Sequence, residues 1–462
     1  MKIRKIHIKN YKMFKDVTID FTDSNGNTLD TIVIVGINGS GKTSLLQLLQ
    51  KLFSEDLNTT KTQSILRKYE EEESSLICDE VELELDISNN ERDSLKSLAH
   101  KQVSKFTKIL GNKHEVIRDL KRIENLLNRQ YVKLLYKLGK KESSYIIHQN
   151  DFAFFGVLPE DDLMDIFKVL SFSAVHSDIK KTTSGNSISE LLEDKSSNDN
   201  LNSDGIVFPI DIFSQRKTVE IHIVESVTEK LIANRDLLAK DVIKQAIYDV
   251  NNLLKGISLK TELVDINSKQ PIFQSSYGPK ISSDELSGGE KQLYYKAILF
   301  DKLRPQNSII MVDEPETSLH PTWQQEILKL YNNIPGNNQI IMVTHSPHII
   351  ASIHPDNLFI LDANDEKKTV ECFNAKDKGL HTRGNEPNDI LNEVMGTPLR
   401  DANTQKRIDE LSKRLAISPK DSDKPEVLTL INDLKEDLGK LDPFIMRLNH
   451  QLMMIKRRKL NK

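Results

Sequence analysis

Cysteine is almost absent from this chain, which has only Cys78 and Cys372 among its 462 residues. Two cysteines exclude a disulfide framework and a cysteine-rich zinc module, and they suit a reducing compartment. Long apolar runs are missing too, since no segment approaches the roughly 18 apolar residues that span a bilayer. Residues 1–8 alternate charged and apolar side chains, which is strand patterning and not a signal peptide. We therefore expect a cytoplasmic protein without a membrane segment.

A large excess of one charge is also lacking, because 64 Lys and Arg face 68 Asp and Glu. The overall charge therefore does not indicate a nucleic-acid binder. Locally, twelve Lys and Arg stand against three Asp and Glu between Lys101 and Lys141. This local excess is either a solvated helix face or a DNA contact, for which Lys121, Arg122 and Arg129 are candidates.

Apolar periodicity divides the chain into five segments. They are a first lobe of strands around one apolar helix (1–90), a helical arm insertion (91–145), a variable connector (146–206), a second lobe of strands and helices (207–361) and a helical C-terminal region (362–462). The connector contains a segment rich in Ser, Asn, Asp and Gly, 182–205, which we predict to be a mobile loop. Within the arm, a stripe with helical three- and four-residue spacing consists of Leu120, Ile123, Leu127, Tyr131, Leu134 and Leu138.

A phosphate-binding loop is the clearest motif of the first lobe. Residues 36–43 read GINGSGKT, between the apolar strand 31–35 and the predicted helix 44–53. Backbone N–H groups and a helix N-terminus form an anion site, in which Lys42 would neutralise the β- and γ-phosphates and Thr43 would bind Mg²⁺. The alternative, a glycine-rich turn, does not explain the strand–loop–helix context. The predicted nucleotide ligands are Gly36, Asn38, Gly39, Ser40, Gly41, Lys42, Thr43 and Ser44.

Two adjacent acids follow an apolar strand in the second lobe. Asp313 ends the strand 308–312 and would hold the same metal, while Glu314 suits a general base that polarises the attacking water. Paired acids after a strand are sometimes only a polar turn. The longer block DEPETSLHP at 313–321 is more specific than the pair alone.

A histidine follows the apolar strand 339–343. His345 is placed as a switch residue that contacts the γ-phosphate would be, so we predict a catalytic role for it with Lys42 and Glu314. A metal pair with His348 is disfavoured because no acidic or cysteine ligands accompany it. The glutamine that often completes such a site has two candidates, Gln149 and Gln215.

The sequence LSGGEKQ at 286–292 completes a set that resembles ABC-type ATPases. In that family the signature of one protomer closes the nucleotide site of the other. The resemblance therefore implies ATP and Mg²⁺ as ligands and a head-to-tail dimer or higher oligomer. The signature residues that would face the partner's γ-phosphate from a helix start are Ser287, Gly288, Gly289 and Glu290.

The N-terminal block at 6–16 resembles the RecF/SMC/OLD branch of soluble ABC ATPases, which begins I-x-N-[FY]-[KR]-x-[FY]. The resemblance covers most of residues 1–361, except the arm and the loop. It implies an α/β fold: an ABC-type P-loop ATPase head with a mixed sheet and helices, carrying a short helical arm insertion and a helical C-terminal region. Residues 1–90 would then carry Walker A, and 207–361 the signature, Walker B and the switch histidine.

The C-terminal region resembles one group within that branch. Segment 383–398 is similar to PtuA, the ATPase of Septu-type antiphage defence and of related retron-associated ATPases, and 434–448 is similar to its closing helices. This resemblance implies a partner nuclease of the HNH type (PtuB-like) acting on invading DNA and gated by nucleotide state. We expect the partner to dock on the apolar helices after Gly396.

Departures from the branch narrow the hypotheses. After His345 we find no Toprim set of metal-binding acids, so the chain is not expected to cut DNA itself. The stretch between Thr43 and Ser287 is far shorter than an SMC insertion. Besides the antiphage regulatory ATPase, two alternatives stay open: a RecF-like DNA-repair ATPase, and an oligomeric nucleotide-binding scaffold with negligible turnover.

Overall fold

The computed structural model of the chain describes residues 1–55, 79–110, 124–125, 127–141, 144–149, 169–173, 207–211, 219–267, 270–364, 367–397, 400–418, 421–422 and 424–460. The strands are β1 (Lys2–Tyr11), β2 (Phe14–Asp20), β3 (Thr31–Gly36), β4 (Asp79–Asp86), β5 (Val132–Lys141), β6 (Ser144–Gln149), β7 (Val169–Ser173), β8 (Val207–Asp211), β9 (Thr261–Asn267), β10 (Gln270–Ser275), β11 (Lys280–Ser282), β12 (Ile309–Asp313), β13 (Gln339–Val343), β14 (Leu358–Asn364) and β15 (Thr369–Asn374). The helices are α1 (Lys42–Glu55), α2 (Asn89–Leu110), α3 (Val219–Ala233), α4 (Ala239–Leu253), α5 (Gly288–Leu303), α6 (Pro321–Asn332), α7 (Pro347–Ile350), α8 (Pro387–Glu393), α9 (Ala402–Ile417), α10 (Pro425–Leu438) and α11 (Pro443–Leu460), with 3₁₀ turns at Ser283–Glu285 and Pro355–Asn357.

Twelve strands form one mixed sheet in the order β6-β5-β4-β1-β2-β15-β14-β3-β13-β12-β7-β8. β1, β2, β4, β5 and β6 pair antiparallel, whereas β14, β3, β13, β12, β7 and β8 are parallel. The central parallel strands are continuous apolar runs, as expected for strands that are covered on both faces. The leucines of α1 belong to the same buried cluster as β3. The predicted α/β architecture of a mixed sheet with helices is confirmed.

The parallel register brings the predicted motifs to one edge of the sheet. Asp313 pairs with Val343 at the ends of β12 and β13, and Val343 pairs with Ile34 near the end of β3. The phosphate loop begins directly after β3, and His345 lies two residues after β13. Since carboxyl ends of parallel strands share an edge, three segments that are distant in sequence meet there.

A second, three-stranded antiparallel sheet has the order β11-β10-β9 and leads into the signature helix α5. Helices α3 and α4 pack against α5 through an ionic contact. The ammonium of Lys230 lies 2.9 Å from Asp249 and 2.8 Å from Asp301, and the Ser226 hydroxyl also donates to Asp301. This contact fixes the helix that carries the signature.

The prediction of a helical arm is wrong in the second half of that segment, because residues 132–141 form strand β5. The strand pairs antiparallel with β4, buries Val132 and Leu134, and sets Lys133 against Glu82 at 3.0 Å. Cross-strand packing and charge pairing therefore outweighed the helical spacing. Two positions of the predicted stripe, Leu120 and Ile123, lie outside the described residues, as do Lys121, Arg122, Gln215 and the predicted loop 182–205.

The C-terminal boundary also differs from the prediction. The chain divides into two compact units, Met1–Ile390 and Leu391–Lys462, so the predicted start at residue 362 is too early. β14 pairs with β3 and β15 with β14, and both strands complete the sheet. The second unit is helical, as predicted, around a buried cluster of Ile408, Leu411, Leu415, Val427, Ile431, Leu434, Ile445 and Leu448. Among the residues that the structure describes, every helix is too short or too polar to span a bilayer.

Candidate nucleotide-binding site

The phosphate loop follows β3 and runs into the N-terminus of α1. Glycine is required at two of its positions by geometry. A Cβ atom at Gly36 would lie 2.4 Å from the carbonyl oxygen of Leu361, and one at Gly41, whose φ is +92°, would lie 2.9 Å from the Met13 sulfur. The backbone therefore approaches its neighbours too closely for a side chain at these positions, and a bare backbone of this kind can bring N–H groups close to an anion.

Lys42 is buried beneath this loop. Its ammonium donates to the carbonyl oxygens of Gly36, at 2.9 Å, and Ile37, at 2.8 Å. Burial lowers the pKa of Lys42 to about 8, against the opposing attraction of Asp313 and Glu314. A bound polyphosphate would restore the full charge, because an anion favours the protonated form.

Asp313, the last residue of β12, lies beside the loop and is 5% exposed. It accepts a hydrogen bond from the Thr43 side chain, while its Oδ1 atom has no hydrogen-bond partner in the described part of the chain. Burial, and then the charge of Glu314, raise the pKa of Asp313 to about 6. A hydroxyl beside a buried carboxylate oxygen that lacks a partner fits Mg²⁺, which prefers oxygen ligands. Thr43 and Asp313 would hold that ion.

Glu314 occupies a strained backbone position with φ of +48°, which is uncommon outside glycine and typical of functional sites. Its N–H donates to the carbonyl oxygen of Val343 at 2.9 Å, which fixes it against the end of β13. Its charge acts on both Lys42 and His345, raising pKa values that burial lowers. The predicted base therefore lies within the same electrostatic site as the other two candidates.

His345 lies between two fixed residues after β13. The backbone N–H of His345 donates to the Glu316 carboxylate at 2.7 Å. Burial, and then the charge of Lys42, lower the pKa of the imidazole below its ordinary value. A neutral ring keeps one N–H donor for a phosphate oxygen.

A cavity of about 250 Å³ opens at this edge of the sheet. Its lining residues are Lys12, Met13, Asn38, Gly39, Gly41, Lys42, Thr43, Ser44 and His345. Sequence reasoning had not assigned Lys12 or Met13 to the site. Both lie in the turn between β1 and β2, and the Lys12 ammonium donates to the Ser44 hydroxyl at 3.0 Å. The N-terminal motif at 6–16 includes Lys12 and could have pointed to it, but the motif was interpreted only as an indication of the family.

The signature begins helix α5 away from this cavity lining. Ser287 is the N-cap, and it and Gly288 are exposed. Gly289 is packed so that a Cβ atom would lie 2.6 Å from the Trp323 ring. Glu290 supports the cap, because its carboxylate accepts from the Ser287 N–H at 3.0 Å and hydroxyl at 2.7 Å. The start of the helix, at Ser287 and Gly288, thus faces solvent with the positive end of the helix dipole.

The profile of one protein family, described as an AAA ATPase domain, matches residues 1–350. The chain belongs to this ATPase family. Among curated proteins, the Retron Vc95 probable ATPase of Vibrio cholerae serotype O1 biovar El Tor is 22% identical over 414 residues, which covers 79% of this chain and 74% of the relative. The Septu protein PtuA of Bacillus thuringiensis is 29% identical over 160 residues, or 32% of this chain and 39% of PtuA.

Two further similarities widen the range of relatives of this ATPase. Endonuclease GajA of Bacillus cereus (strain HuB5-5) is 23% identical over 380 residues, which covers 71% of this chain and 54% of GajA. Among solved structures, the SmcHead bound to the C-winged helix domain of ScpA has a TM-score of 0.44 and 12% identity, and covers 82% of this chain and 100% of that one.

Two residues considered in the sequence analysis, Gln149 and His348, are not among the described residues that line the cavity of this ATPase. Gln149 is the last residue of β6, where its backbone pairs with Tyr136. Its assignment as the site glutamine stays a prediction. The Nδ1 atom of His348 is buried and has no hydrogen-bond partner among the described residues. No cluster of three metal-ligating side chains occurs in that same part of the chain.

Proposed function

We propose that this ATPase is the regulatory subunit of an antiphage defence complex of the Septu kind. Two copies would close head to tail around two ATP molecules and thereby control a partner HNH nuclease acting on DNA. One observation supports the proposal of a head-to-tail dimer. The described lining of the nucleotide cavity contains no signature residue, while Ser287 and Gly288 face solvent at the start of α5. Each site would therefore be completed by a second copy.

The roles of the site residues follow from their positions. Lys42 would neutralise the β- and γ-phosphate oxygens, and His345 would donate its N–H to the γ-phosphate. Glu314 would polarise the water that attacks the γ-phosphorus. Mg²⁺ would offset phosphate charge when held by Thr43 and Asp313. Closure would add Ser287 and the N-terminus of α5 from the partner, so ATP would favour the closed state.

The composite site can be tested by mixing two inactive variants. Lys42→Ala removes phosphate binding, and Ser287→Arg obstructs the signature, so neither homodimer should hydrolyse ATP. A mixed dimer has one intact site, made of the Walker A of one chain and the signature of the other. Mixing should therefore restore up to about a quarter of wild-type activity if chains assort at random, the full quarter corresponding to two independent sites. No recovery in a mixture that forms heterodimers, as judged by differently tagged chains, contradicts the head-to-tail arrangement.

Trapping the closed state is the second test of the dimer. Glu314→Gln should leave nucleotide binding intact while blocking hydrolysis, so ATP should shift this variant to a dimer in gel filtration or sedimentation. Lys42→Ala is the matched control and should show no shift. The same mass for both variants, with and without ATP, is incompatible with the proposed mechanism.

The nuclease partner rests on the resemblance of the C-terminal region to PtuA and on a feature of the second unit. Helix α11 exposes Met446, which is 57% exposed, and, about two turns further along, Met453 and Met454, which are 52% and 40% exposed. Flexible methionines are common at adaptable binding surfaces. The tagged chain expressed from its native operon should co-purify with an HNH-type nuclease. Recovery with replication or repair proteins instead would favour the RecF-like alternative.

Cleavage is assigned to the partner and not to this chain, although one relative, GajA, is named an endonuclease. The purified chain should leave DNA intact with Mg²⁺ or Mn²⁺, and addition of the partner should restore cutting. DNA contact is assigned to the basic segment before β5. Neutralising Lys121, Arg122 and Arg129 should weaken DNA binding and reduce its salt dependence. Unchanged DNA binding in this variant would favour the alternative interpretation, in which the basic segment is a solvated helix face.

A further inference from the structure

The turn after Asp313 contains a second carboxylate that the proposed chemistry does not use. Glu316 accepts hydrogen bonds on one oxygen, Oε1, from the Thr344 hydroxyl and from the His345 N–H, both at 2.7 Å. It therefore contacts the backbone of the switch histidine directly. Its other oxygen, Oε2, is buried and has no hydrogen-bond partner in the described part of the chain. The carboxylate is thus dedicated to the loop that carries His345.

The loop is also held on the other side of His345. The Thr344 hydroxyl oxygen accepts from the Ser346 N–H at 2.9 Å, and the Ser346 hydroxyl donates to Gln324 at 2.6 Å. Gln324 lies on α6 and donates its own amide to the carbonyl of Leu319 at 2.9 Å. Both neighbours of His345 are therefore fixed to the 313–324 segment, which leaves the position of the imidazole dependent on these contacts.

A buried lysine connects the same turn to the signature helix. Lys296 lies on α5, is 2% exposed, and donates to the carbonyl oxygen of Pro315 at 3.1 Å. Glu316 is the charged group that attracts its ammonium. Lys296 is eight residues after Gly288, so about 12 Å of rigid helix separates it from the start of the signature. One continuous set of contacts therefore joins Ser287 to His345 within a single head.

We propose that Glu316 is a positioning residue for His345, and that Lys296 couples this positioning to the signature helix of the same head. The inference rests on the proposed head-to-tail dimer, in which one head gives its signature to one ATP and its switch histidine to the other. Engagement of the signature at the first site would then reach His345 at the second through α5 and the turn. The two sites of a dimer would be coupled through the interior of each head.

The positioning role predicts non-additive kinetics in the full-length chain. Glu316→Ala and His345→Ala should each lower kcat by about 10- to 100-fold, since small misplacements of a catalytic group have effects of that size. KM for ATP should stay within about 3-fold, because Lys42 and the loop remain intact. The double variant should be no slower than the worse single variant, since both changes disable the same group. Losses that multiply would overturn the inference.

Conservative variants separate positioning from a general loss of structure. Glu316→Gln keeps an acceptor oxygen for both donors and should stay within about 3-fold of wild type. Thr344→Val removes one of the two donors to Glu316, together with the acceptor of the Ser346 N–H, and should fall between Gln and Ala. A Gln variant as slow as Ala contradicts the hydrogen-bonding role. The matched control is Glu326→Gln, because Glu326 lies on α6 and accepts from the Ser258 N–H and hydroxyl, and its contacts with described residues do not include the switch loop. It should leave kcat unchanged.

Hydrogen exchange gives a readout that does not depend on turnover. Peptides containing the His345 amide should exchange about 10-fold faster in Glu316→Ala, but not in Glu316→Gln, because only the first loses the acceptor. Lys296→Met should reproduce the faster exchange and the kcat loss without adding to His345→Ala. Unchanged exchange in Lys296→Met removes the coupling to the signature helix.

The outcomes distinguish this inference from the proposed function. If the wild-type chain neither dimerises with ATP nor hydrolyses it, the proposed function fails. If it does both, but Glu316→Ala and His345→Ala act independently and leave exchange unchanged, only the positioning role fails.

Discussion

Replacing Asp313 by asparagine should make the nucleotide-free protein more stable and, at the same time, inactive. The carboxylate is buried, one of its oxygens lacks a hydrogen-bond partner within the described chain, and it lies beside Glu314. Its ionised form is therefore disfavoured in the fold. An amide has almost the same shape and carries no charge, so the substitution removes this unfavourable term without leaving a cavity.

The magnitude follows from the pKa. Burial raises the pKa of Asp313 from 3.8 to about 6. Each unit corresponds to about 1.4 kcal/mol, so the ionised carboxylate destabilises the folded state by roughly 3 kcal/mol at pH 7. A raised carboxyl pKa means that the folded state binds the proton more tightly than the unfolded state. The unfavourable term is therefore absent below about pH 4, develops between pH 4 and pH 6, and is complete above that range.

Urea unfolding of the first unit, followed by hydrogen exchange of β12 peptides, measures this difference. Asp313→Asn should be more stable than wild type at pH 7, and the two should converge at pH 4. The control is Asp301→Asn, because Asp301 is equally buried but lies 2.8 Å from Lys230. Removing that partner should destabilise by about 1–3 kcal/mol. An Asp313→Asn protein that is no more stable at pH 7, or whose advantage persists at pH 4, refutes the reasoning.

Four shorter predictions concern other sites. Gly289→Ala should abolish ATP-dependent dimerisation but not ATP binding, since the new Cβ would lie 2.6 Å from an indole ring behind the signature; sedimentation and calorimetry separate the two. Lys12→Met should weaken ATP binding by about 10-fold in calorimetry, because a cation at the cavity would be lost. Arg400→Ala should destabilise the second unit by about 1–2 kcal/mol in hydrogen exchange, since its guanidinium binds both oxygens of Asp442 at 2.9 Å. Arg414→Ala, in a half-exposed pair, should change stability by less than about 0.5 kcal/mol.

Sequence patterning predicted the centre of the sheet and failed at its antiparallel edge. Strands β3, β12 and β13 are short, continuous apolar runs that lie next to motif residues in the sequence. Such runs are typical of parallel strands that are buried on both faces, so the sequence predicts them reliably. Residues 132–141 are ambiguous, because their apolar side chains fit both helical and alternating spacing. Whether these residues form a helix or a strand depends on their pairing with β4. Val132 pairs with Leu85, which lies 47 positions earlier in the sequence. No local window contains that information.

The same distinction between local and distant contacts applies to the site. Lys42, Thr43, Asp313 and Glu314 were predictable because each belongs to a contiguous motif whose chemistry depends on spacing. Lys12 reaches the cavity only because the β1–β2 turn lies against α1. The N-terminal motif includes Lys12, but a motif that indicates a family does not by itself predict such a contact. The fold had to be known before its role could be seen.

The charges in the site also give a physical reason why nucleotide would control the conformation of this ATPase under the proposed mechanism. Without ligand, burial lowers the pKa of Lys42 and raises the pKa of Asp313, so it disfavours the charged form of both side chains. A phosphate beside the first and Mg²⁺ beside the second would reverse both shifts, so binding of ATP with Mg²⁺ would relieve two unfavourable terms at once. ADP lacks the γ-phosphate that His345 and the partner's signature would contact. The nucleotides should therefore differ mainly in how strongly they favour the closed dimer, and less in their affinity for a single head.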